Sequence, residues 1–136
     1  MNLYIDDYET VANVQERFAT CFPLLKIEFY SAPHQCKERS CFEQLLSPQK
    51  QIGEIRDKRN AGYLEISSGF TAASVERDFR KKFGLNVQVF RKENDSWIQT
   101  SATDQFTLKE QSDMAFHASC SIFPKYKEQC NDYDEL

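Results

Sequence analysis

The residues whose types could do chemistry in this chain are five cysteines, two histidines and one tight basic cluster. His34 stands two residues before Cys36, Cys41 follows five later, and His117 stands three before Cys120. Thiolate and imidazole are zinc's preferred soft ligands, and four of them close a tetrahedral site. Cys36, Cys41, His117 and Cys120 are therefore the candidate set, if the fold brings two distant segments together. The CxxC knuckles of a finger or ribbon are absent, so scattered free thiols are the competing reading, with Cys21 on a core face. A cysteine nucleophile needs a histidine base and a group to orient it, and neither histidine lies in a recognisable motif. GxSxG, the P-loop, GxGxxG and HExxH are all missing. Arg77, Arg80, Lys81 and Lys82 could receive an anion or an acidic partner, or could be the solvated face of a helix. Asp104 reads as a turn or capping residue. These residues lead to an expectation of no enzyme activity and no cofactor.

Size and composition set the frame for that chemistry. The chain has 136 residues, 40% hydrophobic and 13% aromatic, which is enough for one domain with its own core. The apolar runs are too short for a membrane span. MNLYIDDYE has neither a basic start nor an apolar stretch after it, so no signal peptide is expected. An odd number of cysteines with no dense framework points to a reducing compartment, and the cytoplasm is the expected location. The net charge of −4 is unevenly spread: residues 31–92 are mildly basic and both ends are acidic. A surface built for a phosphate backbone needs an excess of Lys and Arg, so nucleic acid is an unfavoured partner.

The elements that must position these residues follow from periodicity. Residues 2–5 read as a strand. Thr10 is placed to cap a helix whose apolar face is Val11, Val14, Phe18 and Cys21/Phe22, and Pro23 ends it. Leu25, Ile27 and Phe29 then alternate with polar residues as a half-buried strand. The same plan returns 61 residues later. A strand from 62 to 67 precedes Thr71, a cap for a helix with Ala72, Val75, Phe79 and Phe83 on one face. Gly84 follows as a positive-φ stop, and Leu85, Val87 and Val89 alternate in the next strand. Thr10 thus matches Thr71, Val14 matches Val75, Phe18 matches Phe79 and Phe22 matches Phe83. The exposed positions do not match: Gln15 falls on Glu76, Arg17 on Asp78 and Thr20 on Lys81. What repeats is the way of making a core.

Between the copies, Ser40 and Glu43 suggest a capping box opening a short helix near 41–46, with a further turn at Ile52 and Ile55, and residues 56–62 read as a solvated turn. After the second copy, residues 92–95 read as a hairpin turn, SWIQT (96–100) as a returning strand, and Thr107 with Glu110 as a capping box opening a last helix. The expected layout is one α+β domain over 1–120, with halves 1–30 and 61–91, an insertion 31–60, and an acidic, loosely ordered tail from 121 to 136.

Two β-α-β units in series give the ferredoxin-like β-α-β-β-α-β order, a four-stranded antiparallel sheet with both helices on one face. Strand parity then puts Tyr4, Tyr30, Tyr63 and Phe90 on the opposite face, with Trp97 joining if SWIQT extends the sheet. An aromatic face of that size wants a cover. A helix of the same chain, a protein partner including a second copy, or the bases of a single-stranded nucleic acid would each serve. Acting through protein contacts, with a homodimer as one form, is the leading expectation.

One resemblance adds to this reading. FGLNVQVFRK (83–92), SWIQT (96–100) and TDQFTLKEQ (103–111) resemble a pattern in a family of small bacterial proteins, FGLxVQVFRK, then WxxT, then TDxxTLxEQ. The likeness spans about residues 50–115 and keeps Trp97, Thr100, Thr103, Asp104, Thr107, Leu108, Glu110 and Gln111. It implies no particular activity.

Overall fold

A computed structural model describes residues 1–31 and 45–122. Over these described residues it is an α+β structure of five strands, three helices and two antiparallel sheets. The order is β1 (Asn2–Ile5), α1 (Val11–Cys21), β2 (Leu25–Tyr30), a 3-10 turn at Ile52–Glu54, β3 (Gly62–Glu65), α2 (Ala72–Phe83), β4 (Asn86–Glu93), β5 (Ser96–Gln99), a second 3-10 turn at Ser101–Thr103, and α3 (Leu108–Ile122).

Each helix starts and stops for a reason visible in the chain. Thr10 Oγ1 accepts from the N–H of Asn13 at 3.1 Å, and Thr71 Oγ1 accepts from the N–H of Ser74 at the same distance. Each hydroxyl satisfies a first-turn donor that has no helical partner. Gly84 stops α2 in the left-handed region, at φ 65°, and its N–H returns to the carbonyl of Arg80. Thr107 and Glu110 exchange side-chain bonds with each other's backbone N–H at 3.1 Å, a complete capping box. Asn94, at φ 59°, turns β4 into β5.

The sheets depart from the ferredoxin-like order. That plan interleaves both units in a single four-stranded sheet. Here, among the described residues, β1 pairs with β3, antiparallel, while β2, β4 and β5 form a second sheet in the order β2-β4-β5. First strand pairs with first strand, and second with second. The pairing brings counterparts together. Leu3 faces Leu64, its own equivalent in the second copy, and Glu28 faces Gln88, likewise its equivalent after the one-residue slip at Pro23-Leu24. Within each strand pair the two copies thus face each other with local two-fold character. Inward side chains of both copies merge into one core, in which Phe18, Phe29, Phe79 and Phe83 are wholly buried and Phe29 meets Phe79 edge-on at 6.1 Å.

The repeat is longer than its sequence signal. Residues 47–54 and 103–110 do the same work in the two halves. The N–H groups of Val11 and Ala12 donate to Lys50 and Pro48 carbonyls at 2.9 Å; those of Ala72 and Ala73 donate to Phe106 and Asp104 carbonyls at 3.2 and 2.9 Å. Ile52 N–H returns to Glu9 at 2.8 Å, and Leu108 N–H to Phe70 at 2.9 Å. Glu54 closes a box on Gln51 as Glu110 does on Thr107. Each segment supplies carbonyls to the orphan donors at the start of a helix. The helix expected near 41–46 falls mostly on 41–44, outside the described residues. Leu45, which is described, is no part of a helix and bridges to Tyr30 at the edge of β2. The Ser40–Glu43 box and the tail beyond 122 also lie outside the described residues.

Candidate functional site

The five aromatics expected on one face are divided between the two sheets. Tyr4 and Tyr63 stand opposite each other on β1 and β3, rings 5.2 Å apart and tilted by 44°. Tyr63 is 60% exposed, and Tyr4 is partly buried. Tyr30, Phe90 and Trp97 belong to the other sheet. There Tyr30 is 2% and Phe90 7% exposed, so only Trp97, at 38%, offers itself to solvent. No single open aromatic platform results: the strands divide between two sheets, and Tyr30 and Phe90 are buried.

Around the tyrosine pair the surface carries both charges. Leu64, Glu65, Phe70, Asp78, Lys81 and Lys82 line a pocket of about 290 Å³ beside β3. Lys82 Nζ donates to the carbonyl of Tyr63 and also lies over the Phe83 ring at 5.6 Å. The Tyr4 phenol is held above its ordinary pKa by desolvation and by the Asp6 carboxylate.

Trp97 has a different setting. Lys26 Nζ lies 5.1 Å from its ring and 5.3 Å from that of Phe90, while Lys92 Nζ lies 6.0 Å from Trp97 on the neighbouring strand. Two ammonium groups therefore sit against the π faces, where the ring quadrupole attracts them. Glu28 pairs with Lys26 at 3.1 Å and offsets one of those charges. Burial, then Glu28 and Glu76, push the Tyr30 phenol up to about 12, so it stays protonated at any ordinary pH.

The basic cluster on α2 does not gather into one site. Arg77 turns to Asp78 at 4.0 Å, Lys82 is spent on Tyr63, and Lys81 lines the pocket beside Asp78. Its last three members fall in the final turn of α2, next to carbonyls that carry the negative end of the helix dipole. Cation placement there stabilises the helix, which is the helix-face reading.

Sequence reasoning missed Arg56. Its guanidinium is fully buried and donates to Asp7 Oδ1 at 2.7 and 3.1 Å, to Asn60 Oδ1 at 2.9 Å, to the Asn60 carbonyl, and to the Phe83 carbonyl at 3.0 Å. The hydrogen bond from Arg56, then its charge and that of Arg59, hold the Asp7 carboxyl below the usual range. Lys58 Nζ donates to the Lys81 carbonyl at 3.1 Å and Asn60 Nδ2 to the Lys82 carbonyl at 2.9 Å. Residues 56–60, expected to be a solvated turn, thus cap the C-terminus of α2. Beside this clasp lies a polar pocket of about 390 Å³, lined by Lys50, Glu54, Arg56, Asp57 and Asn86 among others. The signal available was the density of long donors, RDKRN, set where a helix end would need them.

Of the zinc candidates, Cys36 and Cys41 and the Cys120 side chain lie outside the described residues. His117 lies on α3 with its ring edge-on to Phe116 at 6.2 Å. Among the described residues no three His, Cys, Asp or Glu side chains gather as metal ligands. Cys21, expected in the core, is exposed and free: the apolar face of α1 is filled by Val11, Val14 and Phe18. Among the described residues no helix is long and apolar enough to cross a membrane. No family model, curated protein or solved structure matches the chain.

Proposed function

We propose that this protein is a non-enzymatic interaction module whose contact surface centres on Tyr4 and Tyr63, and that a second copy of the chain is the partner. The observation that carries the reading is Tyr63, 60% exposed on a strand, with its ring against Tyr4 and an apolar-floored pocket beside it. Tyrosine gives much contact area for little lost freedom, which makes it a common interface anchor. Glu65 and Asp78 stand among Lys81 and Lys82 along the same surface. A patch that carries both signs can face itself across a two-fold axis, as isologous contacts require. Tyr63→Asp places a charge at the centre of that contact. Light scattering on wild type at rising concentration is expected to show a dimer, and on Tyr63→Asp a monomer of unchanged fold. A wild type that stays monomeric at high concentration overturns the reading.

A second reading is favoured by Trp97 with Lys26 and Lys92. An aromatic ring flanked by ammonium groups on a sheet suits single-stranded nucleic acid, where bases stack and phosphates meet the lysines. Trp97 emission should then be quenched by a single-stranded oligonucleotide at low salt and recover as salt is added. No quenching at low salt removes this reading.

A further inference from the structure

Glu76 and Gln15 are counterparts in the two copies, and each reaches the side of its strand that faces away from the β2–β4 pairing. Along such an antiparallel edge, the carbonyl of one residue and the N–H of the residue two further on open to the same side. On β2 that notch is the Ile27 carbonyl with the Phe29 N–H; on β4 it is the Val87 carbonyl with the Val89 N–H. Gln15 Nε2 donates to the Ile27 carbonyl at 2.8 Å, and Glu76 Oε2 accepts from the Val89 N–H at 2.8 Å. A notch with one donor and one acceptor is matched by an amide. It is matched equally by a carboxyl group that keeps its proton, whereas a carboxylate can only accept.

The place where Glu76 sits is a junction. Thr100 holds the Val89 carbonyl through its N–H at 3.2 Å and its Oγ1 at 3.0 Å. The carbonyls of Asp104 and Phe106 accept from Ala73 and Ala72 in the first turn of α2. The end of β5 is thus tied to Val89, whose N–H Glu76 holds, and the turn after β5 is tied to the start of α2. The charged or titratable groups that act on it are Asp104 from that turn and Arg80 one helical turn along α2; Tyr30 on β2 feels it in return.

We propose that Glu76 is a proton-dependent latch: with its proton it completes the β4 notch and closes the corner, and without it the segment from Thr100 to Phe106 loosens from β4 and α2. Burial raises the Glu76 carboxyl from 4.5 to about 7, with Asp104 adding to the rise and the Val89 N–H and Arg80 opposing it. Because the pKa is higher in the closed form, the latch's contribution is complete below about 4.5 and is lost as the pH climbs to about 7.

The test is amide exchange at Val89 and Thr100 between pH 5 and 9, corrected for intrinsic rates, with emission of Trp97 on β5 followed in parallel. In wild type the opening constant is expected to rise about tenfold per pH unit up to 7 and then level off, while Glu76→Gln stays flat. Parallel pH dependence in both proteins overturns the latch. Should Glu76→Gln fail to fold, NMR titration of the wild-type Glu76 carboxyl decides. A midpoint near 7 supports the proposal, and one near 4.5 overturns it.

Discussion

The two copies share a core and differ at the ends of their helices. α1 closes on itself: Phe22 N–H returns to the Phe18 carbonyl at 3.0 Å and Pro23 follows. α2 is closed from outside, with the carbonyls of Lys81, Lys82 and Phe83 taken by Lys58, Asn60 and Arg56. The donors come from the segment that links the copies. Arg56 also holds Asp7, in the turn that leads into α1. The linker therefore fastens the end of the second helix to the beginning of the first. Copies of one core-building pattern need different surfaces because the chain passes from the first to the second only once, and only one helix end lies beside that crossing.

The strongest way to break the comparison is to strike the core at equivalent points. Phe18→Ala and Phe79→Ala should each lower stability by about 3–5 kcal/mol. Both side chains are wholly buried in a cluster that spans the two copies. One shared core means one cooperative unfolding transition in denaturant for either variant, with similar losses. A second transition in one of them would show that the halves unfold separately. If the alanine variants are too unstable to purify, Phe→Leu at the same positions should give the same ranking with losses of about 1 kcal/mol.

The clasp comes next. Arg56→Met keeps the apolar stem and deletes every donor, leaving the Phe83 carbonyl and Asp7 without their buried partner. A loss of about 3 kcal/mol is expected at neutral pH. The variant should also change the response to acid. Asp7 is held below its ordinary pKa, so its contribution is present above about 3.8 and is lost as pH falls through the lowered value. Removing Arg56 should flatten that acid limb of the stability profile. An unchanged limb would mean that Asp7 is held by something other than Arg56. Among the described residues the equivalent end of α1 has no such clasp, so no single substitution near Pro23 should reproduce the effect.

Much of this was legible in the chain. Both threonine caps, the Val/Phe faces, the Gly84 stop and the Thr107–Glu110 box are local, and local patterns survive in sequence. The sheet order was not legible. Strand alternation tells which side chains face inward but not which strand is the neighbour, and the antiparallel pairing of β1 with β3 depends on how both copies close over one core. The aromatic face failed for the same reason. Parity separated Tyr4, Tyr30, Tyr63 and Phe90 from the core residues of their strands, but the strands divide between two sheets, and Tyr30 and Phe90 are themselves buried. The longer repeat escaped notice because its offset changes from 61 residues in the helices to 56 in the capping segments, where Gln49, Ile52 and Glu54 answer Gln105, Leu108 and Glu110. Arg56 was read as solvated because a charged turn usually is; only the helix end beside it shows what it binds.

The smallest effects test whether the copies remain equivalent where they look alike. Thr10→Ala and Thr71→Ala each remove one side-chain cap of 3.1 Å, and each should cost about 1 kcal/mol by chemical denaturation. The hydroxyl geometry is the same in both, and in both the neighbouring donors are taken by a backbone segment, residues 47–54 or 103–110. Equal losses would show that the local two-fold extends to energetics. A larger loss at Thr71 would separate the copies. Thr71 and Thr107 bridge in the copy that carries Glu76, while Thr10 and Gln51 bridge in the copy that carries the neutral Gln15. A cap lost at the corner that the Glu76 latch closes should admit water there. The Thr71 excess is therefore expected to appear at pH 8 and to vanish at pH 5, whereas Thr10→Ala should show the same cost at both.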